Sequence, residues 1–272
     1  MNKQRILFIG AGRMAEAIFS GLLKNKTNID NIIISNQSDE QRLIDMKGKY
    51  DVDTTSDWKS AINHSDVVVL ACPPSAHESV LNEMKSLVTN QFIITVAAGM
   101  GTERLEAALP DGTPVAWVMP NTSAEIGESM SIYTYGQHAT NEHRQILEMI
   151  LSSIGTYEEC KEEQVHLLTA ITGSAPAFLY SFCEALEAVA VEYGMTEEKA
   201  RTLVSQMVYG SGSMLKNGGN PSVLREQVTS PGGATAAGLE QLKNGNFNQL
   251  IVEAVKATNA RAKELGKGSS EG

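Results

Sequence analysis

Two short stretches carry residue types that can do chemistry. Late in the chain, Thr229-Ser230-Pro231-Gly232-Gly233-Ala234-Thr235 runs directly into Ala236-Ala237-Gly238-Leu239. Proline and paired glycine force a turn, and the residues behind them can start a helix. Such a junction aims several unpaired backbone N–H groups at one spot, under the positive end of a helix dipole. That spot can seat a carboxylate or a phosphate. Thr235 adds a hydroxyl that both donates and accepts. Taken alone, the heptapeptide reads first as a loop and N-cap without a ligand, since such signals are more often structural. The second stretch is Gly10-Ala11-Gly12-Arg13-Met14-Ala15, between the apolar run Arg5-Ile6-Leu7-Phe8-Ile9 and the helically spaced Glu16 to Leu23. A Gly-x-Gly-x-x-Ala turn between strand and helix is a dinucleotide fingerprint. Gly10 permits the tight turn, Gly12 lets a pyrophosphate approach the backbone, and Ala15 allows close helix–strand packing.

The elements that must position these stretches differ between the two halves. Ile32–Ser35, Ser65–Ala71, Phe92–Val96 and Val115–Met119 read as buried strands after the first, separated by helical stretches. Small or turn-forming residues follow each strand: Ala71 with Cys72-Pro73-Pro74-Ser75, then Ala97-Ala98-Gly99, then Pro120-Asn121-Thr122. This is the pattern of a doubly wound α/β sheet, whose ligands bind beyond the strand carboxyl ends. Ala71, Pro73, Pro74, Ala97, Ala98, Gly99 and Asn121 are therefore candidate cofactor contacts alongside residues 10–15. An NAD-selective site usually carries Asp or Glu at the tip of the second strand. Here Ser35, Asn36, Gln37 and Ser38 are neutral donors, the first three being candidate cofactor contacts, Arg42 follows one turn on, and Asp39 belongs to the next helix start. Nothing at the tip repels a 2′-phosphate, so NADP(H) is the expected cofactor and NAD(H) the alternative; Arg42 either assists or lies in solvent. Cys72 reads as a packing residue or a reactive thiol.

Asn141 to Leu151 is a further helix and Gly155 to Glu158 a short last strand. Beyond about Glu162 strand signals stop. Val165, Leu168, Ile171, Ala175, Phe178, Phe182, Leu186, Val189 and Tyr193 fall at helical spacing, and Leu167, Leu179 and Val191 make other faces apolar too. A helix apolar nearly all round is buried, and with little core left in this half a second subunit is the expected cover. Gly173-Ser174-Ala175-Pro176-Ala177 should kink or divide it, for packing or to present backbone groups beside a nucleotide. Thr196 caps the next helix, Gly218-Gly219 ends it, and Asn220-Pro221 restarts a short one. Ala236–Leu242 and Phe247–Leu265 complete the helical half, and Gly266 to Gly272 reads as a frayed tail. The expected domains are thus 1–161, binding dinucleotide, and 162–272, all-helical.

The totals narrow the functions. Of 272 residues, 42% are hydrophobic and 20% charged, as in an ordinary globular chain. A net charge of −10, from 22 Lys and Arg against 32 Asp and Glu, argues against nucleic acid or anionic membrane as partner. Three scattered cysteines form no disulfide framework and no metal-ligand spacing, so no metal is expected and a reducing, cytoplasmic setting is. No cleavable leader pattern stands at the N-terminus, and no window holds the roughly 18 apolar residues of a membrane span.

Together these pieces resemble the pyrroline-5-carboxylate reductase family over nearly the whole chain. The resemblance rests on Ile9-Gly10-Ala11-Gly12-Arg13-Met14-Ala15, Val118-Met119-Pro120-Asn121-Thr122, Thr169 to Ala177, and above all Leu224 to Thr235. It implies a Rossmann domain, an all-helical domain that dimerises through interleaved helices, and assembly of dimers into larger rings. It also implies a cyclic imino acid, pyrroline-5-carboxylate, reduced to L-proline by NAD(P)H. The carboxylate would sit on Ser230, Gly232, Gly233 and Ala234, and the Thr235 hydroxyl would meet the ring nitrogen. Because protonation of that nitrogen makes the adjacent carbon accept hydride readily, no strong acid is required, and positioning supplies most of the rate. The chain departs from the family where Pro73 replaces a frequent lysine, Trp58 a frequent Asn, His166 a frequent Asp and Ala175 a frequent Gly. A β-hydroxyacid dehydrogenase would need a lysine base on the long helix, and no Lys or Arg occurs between Lys161 and Lys199. A nucleotide-binding regulator without turnover is the other alternative, favoured by the lost lysine and opposed by the intact Ser230 to Thr235 segment.

Overall fold

The computed structural model describes residues 2–24 and 28–267; of the tail expected from Gly266, Gly266 and Lys267 are instead helical, and the rest lies outside the described residues. Strand and helix alternate through β1 (Gln4–Ile9), α1 (Arg13–Lys24), β2 (Ile29–Ser35), α2 (Glu40–Tyr50), β3 (Asp53–Thr55), α3 (Trp58–Ile62) and β4 (Val67–Leu70). They continue through α4 (Pro74–Met84), β5 (Phe92–Thr95), α5 (Thr102–Ala108), β6 (Val115–Met119), β7 (Ser129–Tyr135), α6 (Asn141–Ser152) and β8 (Gly155–Glu159). These strands form one sheet in the order β3-β2-β1-β4-β5-β6-β7-β8, parallel except where β7 meets β6. Sequence reading missed β3, which has only three residues, and β7, whose inward positions are partly polar. Ser129 and Ser131 are buried in β7, and their hydroxyls pair at 3.1 Å, which removes the usual penalty for burying them.

The central segments Ile6–Ile9 of β1, Val67–Leu70 of β4, Phe92–Ile94 of β5 and Val115–Met119 of β6 are apolar because both sheet faces are covered. Ile6, Phe8, Val67, Val69, Phe92, Ile94, Ala116 and Val118 enter one core with α1 and α6 residues. Their sequence neighbours Leu7, Ile9, Val68, Leu70, Ile93 and Val115 enter a second core on the opposite face. Trp58, 2% exposed, belongs to that second core, so this departure from the family pattern is a packing residue. The register sets Ile9 opposite both Ser35 and Leu70, and Leu70 opposite Thr95. The loops leaving β1, β2, β4 and β5 therefore open along one edge, with strand order reversing between β1 and β4. That is where doubly wound sheets hold their ligands.

The remaining helices are α7 (Glu162–Thr169), α8 (Ala175–Glu192), α9 (Glu197–Lys216), α10 (Pro221–Gln227), α11 (Ala234–Asn244) and α12 (Phe247–Lys267). Between α7 and α8 the expected disruption takes the form of a π-helical turn, Ala170–Ser174. Pro176 then falls in the first turn of α8, where its missing N–H breaks no helical bond. The α11 helix starts at Ala234, two residues earlier than expected, which brings Thr235 into its first turn.

Two compact units result, 1–173 with 259–272, and 174–258. In the second unit Ala200 and Val204 are the buried apolar residues among those described. Leu179, Tyr180, Phe182, Val189 and Val191 on α8 are all exposed. By length and composition alone, the run Glu162–Glu192 could cross a membrane, which amends the expectation that no window approaches a span. Its apolar residues were spread over all faces rather than set in one uninterrupted block.

Candidate functional site

Within the first unit, the fingerprint turn has the geometry a dinucleotide needs. Gly10 sits at φ 114°, donates its N–H to the Ser35 carbonyl at 2.9 Å, and passes so close to β4 that a Cβ would stand 2.6 Å from the Ala71 carbonyl oxygen. Gly12 is the converse: a Cβ there would meet nothing within 4 Å. The protein leaves space on this side of the turn, and the Arg13, Met14 and Ala15 amides open the first turn of α1, where helix geometry supplies no carbonyl. This arrangement fits a bound pyrophosphate. Ala11 and Ala15 are buried, whereas Arg13 is exposed and pairs with Glu125 at 2.8 Å.

The β2 tip divides the residues expected there. Ser35 is 1% exposed and its hydroxyl has no partner, so its side chain is turned inward and its carbonyl serves Gly10 instead. Asn36 and Gln37 line a cleft of roughly 630 Å³ together with Glu40, Lys47, Thr54, Thr55 and Ser56. Asp39 caps α2, accepting the Arg42 amide at 2.9 Å as expected. Arg42 itself lies neither in solvent nor free at the cleft. Its Nε donates to the Ala11 carbonyl at 2.9 Å and its guanidinium meets Glu16 at 2.5 Å.

The loops after β4, β5 and β6 are tied together by side chains that sequence reading did not single out. Fully buried His77 on α4 faces the Pro73 carbonyl with Nδ1 at 3.1 Å and the Thr95 hydroxyl with Nε2 at 2.9 Å. With the carbonyl fixing a proton on Nδ1, Nε2 accepts from Thr95. Thr95 Oγ1 in turn accepts the Ala97 amide at 3.2 Å, and the Ala97 carbonyl accepts Trp117 Nε1 at 2.9 Å. Burial lowers the His77 pKa and keeps the ring neutral, which suits this relay of fixed donors. Pro74 opens α4, and Ala98 and Gly99 continue the β5 loop. Cys72 Sγ lies 3.5 Å from His77, but burial pushes its thiol up to about 11, so it is a packing residue and not a nucleophile. Asn121 is a brace: its Nδ2 donates to the Thr172 carbonyl in the π turn at 2.9 Å, and its Oδ1 accepts the Ser123 amide at 3.0 Å. One donor and one acceptor of that side chain are engaged within the protein, so it holds the β6 loop to the π turn. His166 packs against Trp117 with ring centroids 4.5 Å apart and the planes tilted by 55°.

Within the second unit, the late segment forms the expected turn. Thr229 closes α10 through its amide to the Glu226 carbonyl, Gly232 takes φ 70°, and Gly233 donates to the Ser230 carbonyl at 3.0 Å. Gly233 is then the N-cap of α11, with no side chain capping it. Its own N–H is directed into the turn, so Ala234 and Thr235 supply the first-turn amides that helix geometry leaves open. Ala234 and Thr235 are exposed in the single chain.

Comparison with known proteins agrees with both halves. Residues 162–265 match the family model described as pyrroline-5-carboxylate reductase dimerisation, and residues 5–99 match NADP oxidoreductase coenzyme F420-dependent. Pyrroline-5-carboxylate reductase 1 of Bacillus spizizenii is 35% identical over 97% of this chain and 90% of its own length. The Methanosarcina acetivorans pyrroline-5-carboxylate reductase is 35% identical over 98% of this chain and 100% of its own. Among solved structures, Plasmodium falciparum pyrroline carboxylate reductase with NADP bound superimposes with a TM-score of 0.87 at 29% identity, covering 98% of this chain and 99% of that one. The Coxiella burnetii pyrroline-5-carboxylate reductase gives 0.87 at 32% identity, covering 97% and 99%. A fingerprint turn in an α/β unit, a helical region of dimerisation type and whole-length identity to these enzymes agree with one another: the chain belongs to the pyrroline-5-carboxylate reductase family.

Proposed function

We propose that this chain reduces 1-pyrroline-5-carboxylate to L-proline in proline biosynthesis, using NADPH in preference to NADH. The observation that carries the reading is the Ser230 to Thr235 turn opening an eleven-residue helix, in a chain whose N-terminal turn fits a dinucleotide. Backbone amides under a helix dipole suit a carboxylate, and Thr235 adds a hydroxyl beside them. Bound nicotinamide supplies the hydride. The protein's part is to seat the carboxylate on the Ala234 and Thr235 amides, with Ser230, Gly232 and Gly233 shaping the turn. The Thr235 hydroxyl holds the ring nitrogen and fixes which face of the imine is presented. Orientation of this kind is worth up to about 7–11 kcal/mol in well-aligned model reactions. Gly10 to Ala15 hold the pyrophosphate, and the loops at Ala71 to Pro74 and Ala97 to Gly99 flank it, with Asn121 holding the β6 loop from behind.

Preference for NADPH is supported by the β2 tip, where Asn36 and Gln37 follow Ser35 without a carboxylate and share the cleft with Lys47, although Glu40 also lines it. Homodimers or larger assemblies of them are supported by the exposed apolar faces of α8 and α9. Three unpaired cysteines support a cytoplasmic, reducing setting. The organisation proposed is 1–161 for dinucleotide and 162–272 for substrate and dimer. The test is proline formation from pyrroline-5-carboxylate with each reduced nucleotide. Nucleotide binding without turnover would favour the non-catalytic regulator instead.

A further inference from the structure

Arg42 was a candidate for the 2′-phosphate, yet its contacts lead elsewhere. It leaves the first turn of α2 and reaches back to the fingerprint, where Nε donates to the Ala11 carbonyl at 2.9 Å. Its terminal nitrogen meets Glu16 Oε2 at 2.5 Å, and Glu16 Oε1 accepts Lys49 Nζ at 2.9 Å and the Tyr50 hydroxyl at 2.6 Å. The Arg42 and Glu16 side chains are 29% and 18% exposed, so the pair is partly shielded from solvent. Glu16 therefore fixes the guanidinium from one side, itself held by two further donors from the end of α2. Such charge-assisted bonds are the strong ones, and the planar fork of arginine sets direction as well as energy.

The Ala11 carbonyl belongs to the same trans peptide as the Gly12 N–H, and in such a unit the two point in opposite directions. Pinning the carbonyl thus orients the amide. Gly12 is also the position where the protein leaves open space. We propose that Arg42, held by Glu16, is a positioning residue for the pyrophosphate turn, setting the Ala11–Gly12 peptide plane rather than contacting the 2′-phosphate. The 2′-phosphate then falls to the cleft of Asn36, Gln37 and Lys47. This inference rests on the dinucleotide reading of residues 10–15.

The test is nucleotide affinity, read by direct titration without substrate, for three ligands: NADPH, NADH and adenosine 2′-monophosphate. The first two share the pyrophosphate, and the third has the 2′-phosphate alone. Arg42→Gln should weaken NADPH and NADH by the same factor, about tenfold, and leave adenosine 2′-monophosphate unchanged. Glu16→Gln should act in the same uniform way and less strongly. Arg42→Lys keeps the charge but not the fork, so the uniform loss should persist. Loss of NADPH and adenosine 2′-monophosphate with NADH unmoved would overturn the proposal in favour of direct phosphate contact. So would rescue of NADPH alone by lysine. Equal loss for all three ligands, or for none, would overturn it too, the first as general damage. If the wild-type chain bound none of them, the dinucleotide reading itself would fall.

Discussion

The two compact units solve the burial problem in different ways. The α/β unit covers both faces of its sheet with its own helices, and its central segments Ile6–Ile9, Val67–Leu70 and Val115–Met119 are apolar. In the helical unit, the exposed Leu179, Tyr180, Phe182, Val189 and Val191 of α8 are wider than a single chain of this kind would leave to water. One unit covers its own apolar surface, and the other leaves apolar helix faces exposed, which is the basis for proposing a second copy as their cover. Chemistry follows the same division. The half proposed to bind nucleotide is braced by separate internal hydrogen bonds at Arg42, His77 and Asn121. The half proposed to bind substrate offers a turn and a helix start with few internal ties.

The sharpest way to break this contrast is to charge the helical face. Phe182→Glu should abolish association and lower the unfolding temperature of the helical region, read by sedimentation and circular dichroism. An unchanged oligomer would mean that face is not the cover. Next comes the fingerprint, where two glycines should fail differently. Gly12→Val should lose about a hundredfold or more in nucleotide affinity, with the unfolding midpoint unmoved, since its side chain enters open space. Gly10→Ala should instead destabilise the fold, because its Cβ meets the Ala71 carbonyl at a left-handed φ. Matching behaviour of the two variants would contradict the roles assigned here.

Removal of the loop brace should have a smaller effect. His77→Ala leaves a cavity and removes the acceptor of the Thr95 hydroxyl proton, while the Pro73 carbonyl keeps the Ala76 amide, at about 2–4 kcal/mol in urea unfolding. A change below about 0.5 kcal/mol, the usual range for a surface site, would show the relay to be idle. The smallest effect is a pH slope. Burial acts to raise the Glu16 pKa, but hydrogen bonds from Lys49, Tyr50 and Arg42 outweigh it and hold it at about 2, below its ordinary 4.5. A carboxylate depressed on folding stabilises above the unfolded value and loses that stabilisation as pH falls through the folded one. Arg5 depresses Asp66 in the same direction. The urea midpoint should therefore fall between about pH 4.5 and 2, and Glu16→Gln should flatten that fall. An identical slope in the variant would mean Glu16 is not held this way.

Much of the fold was legible because local signals and burial agreed. Continuous apolar runs at Ile6 to Ile9 and Val67 to Leu70 could only be two-face strands, and Asp39, Thr196 and Asn220 sat where helix caps must be. The β7 strand was not legible, since Ser129 and Ser131 hide their inward faces by pairing with each other. Site details failed for a related reason: a side chain's partner is set by tertiary contact. Nothing near Arg42 in sequence announces Glu16, 26 residues earlier. Nothing near Asn121 announces the Thr172 carbonyl, 51 residues later. Ser35 looked like a ribose donor by position, but its place in the strand pleat turns it inward.

The most direct test of the central claim is a paired measurement on Thr235→Ala: the turnover number with pyrroline-5-carboxylate, and NADPH affinity without it. The account predicts a large loss of turnover, on the order of a hundredfold for a lost orienting hydrogen bond, with NADPH binding unchanged. Wild-type turnover in the variant, or an equal loss of NADPH binding, would contradict it.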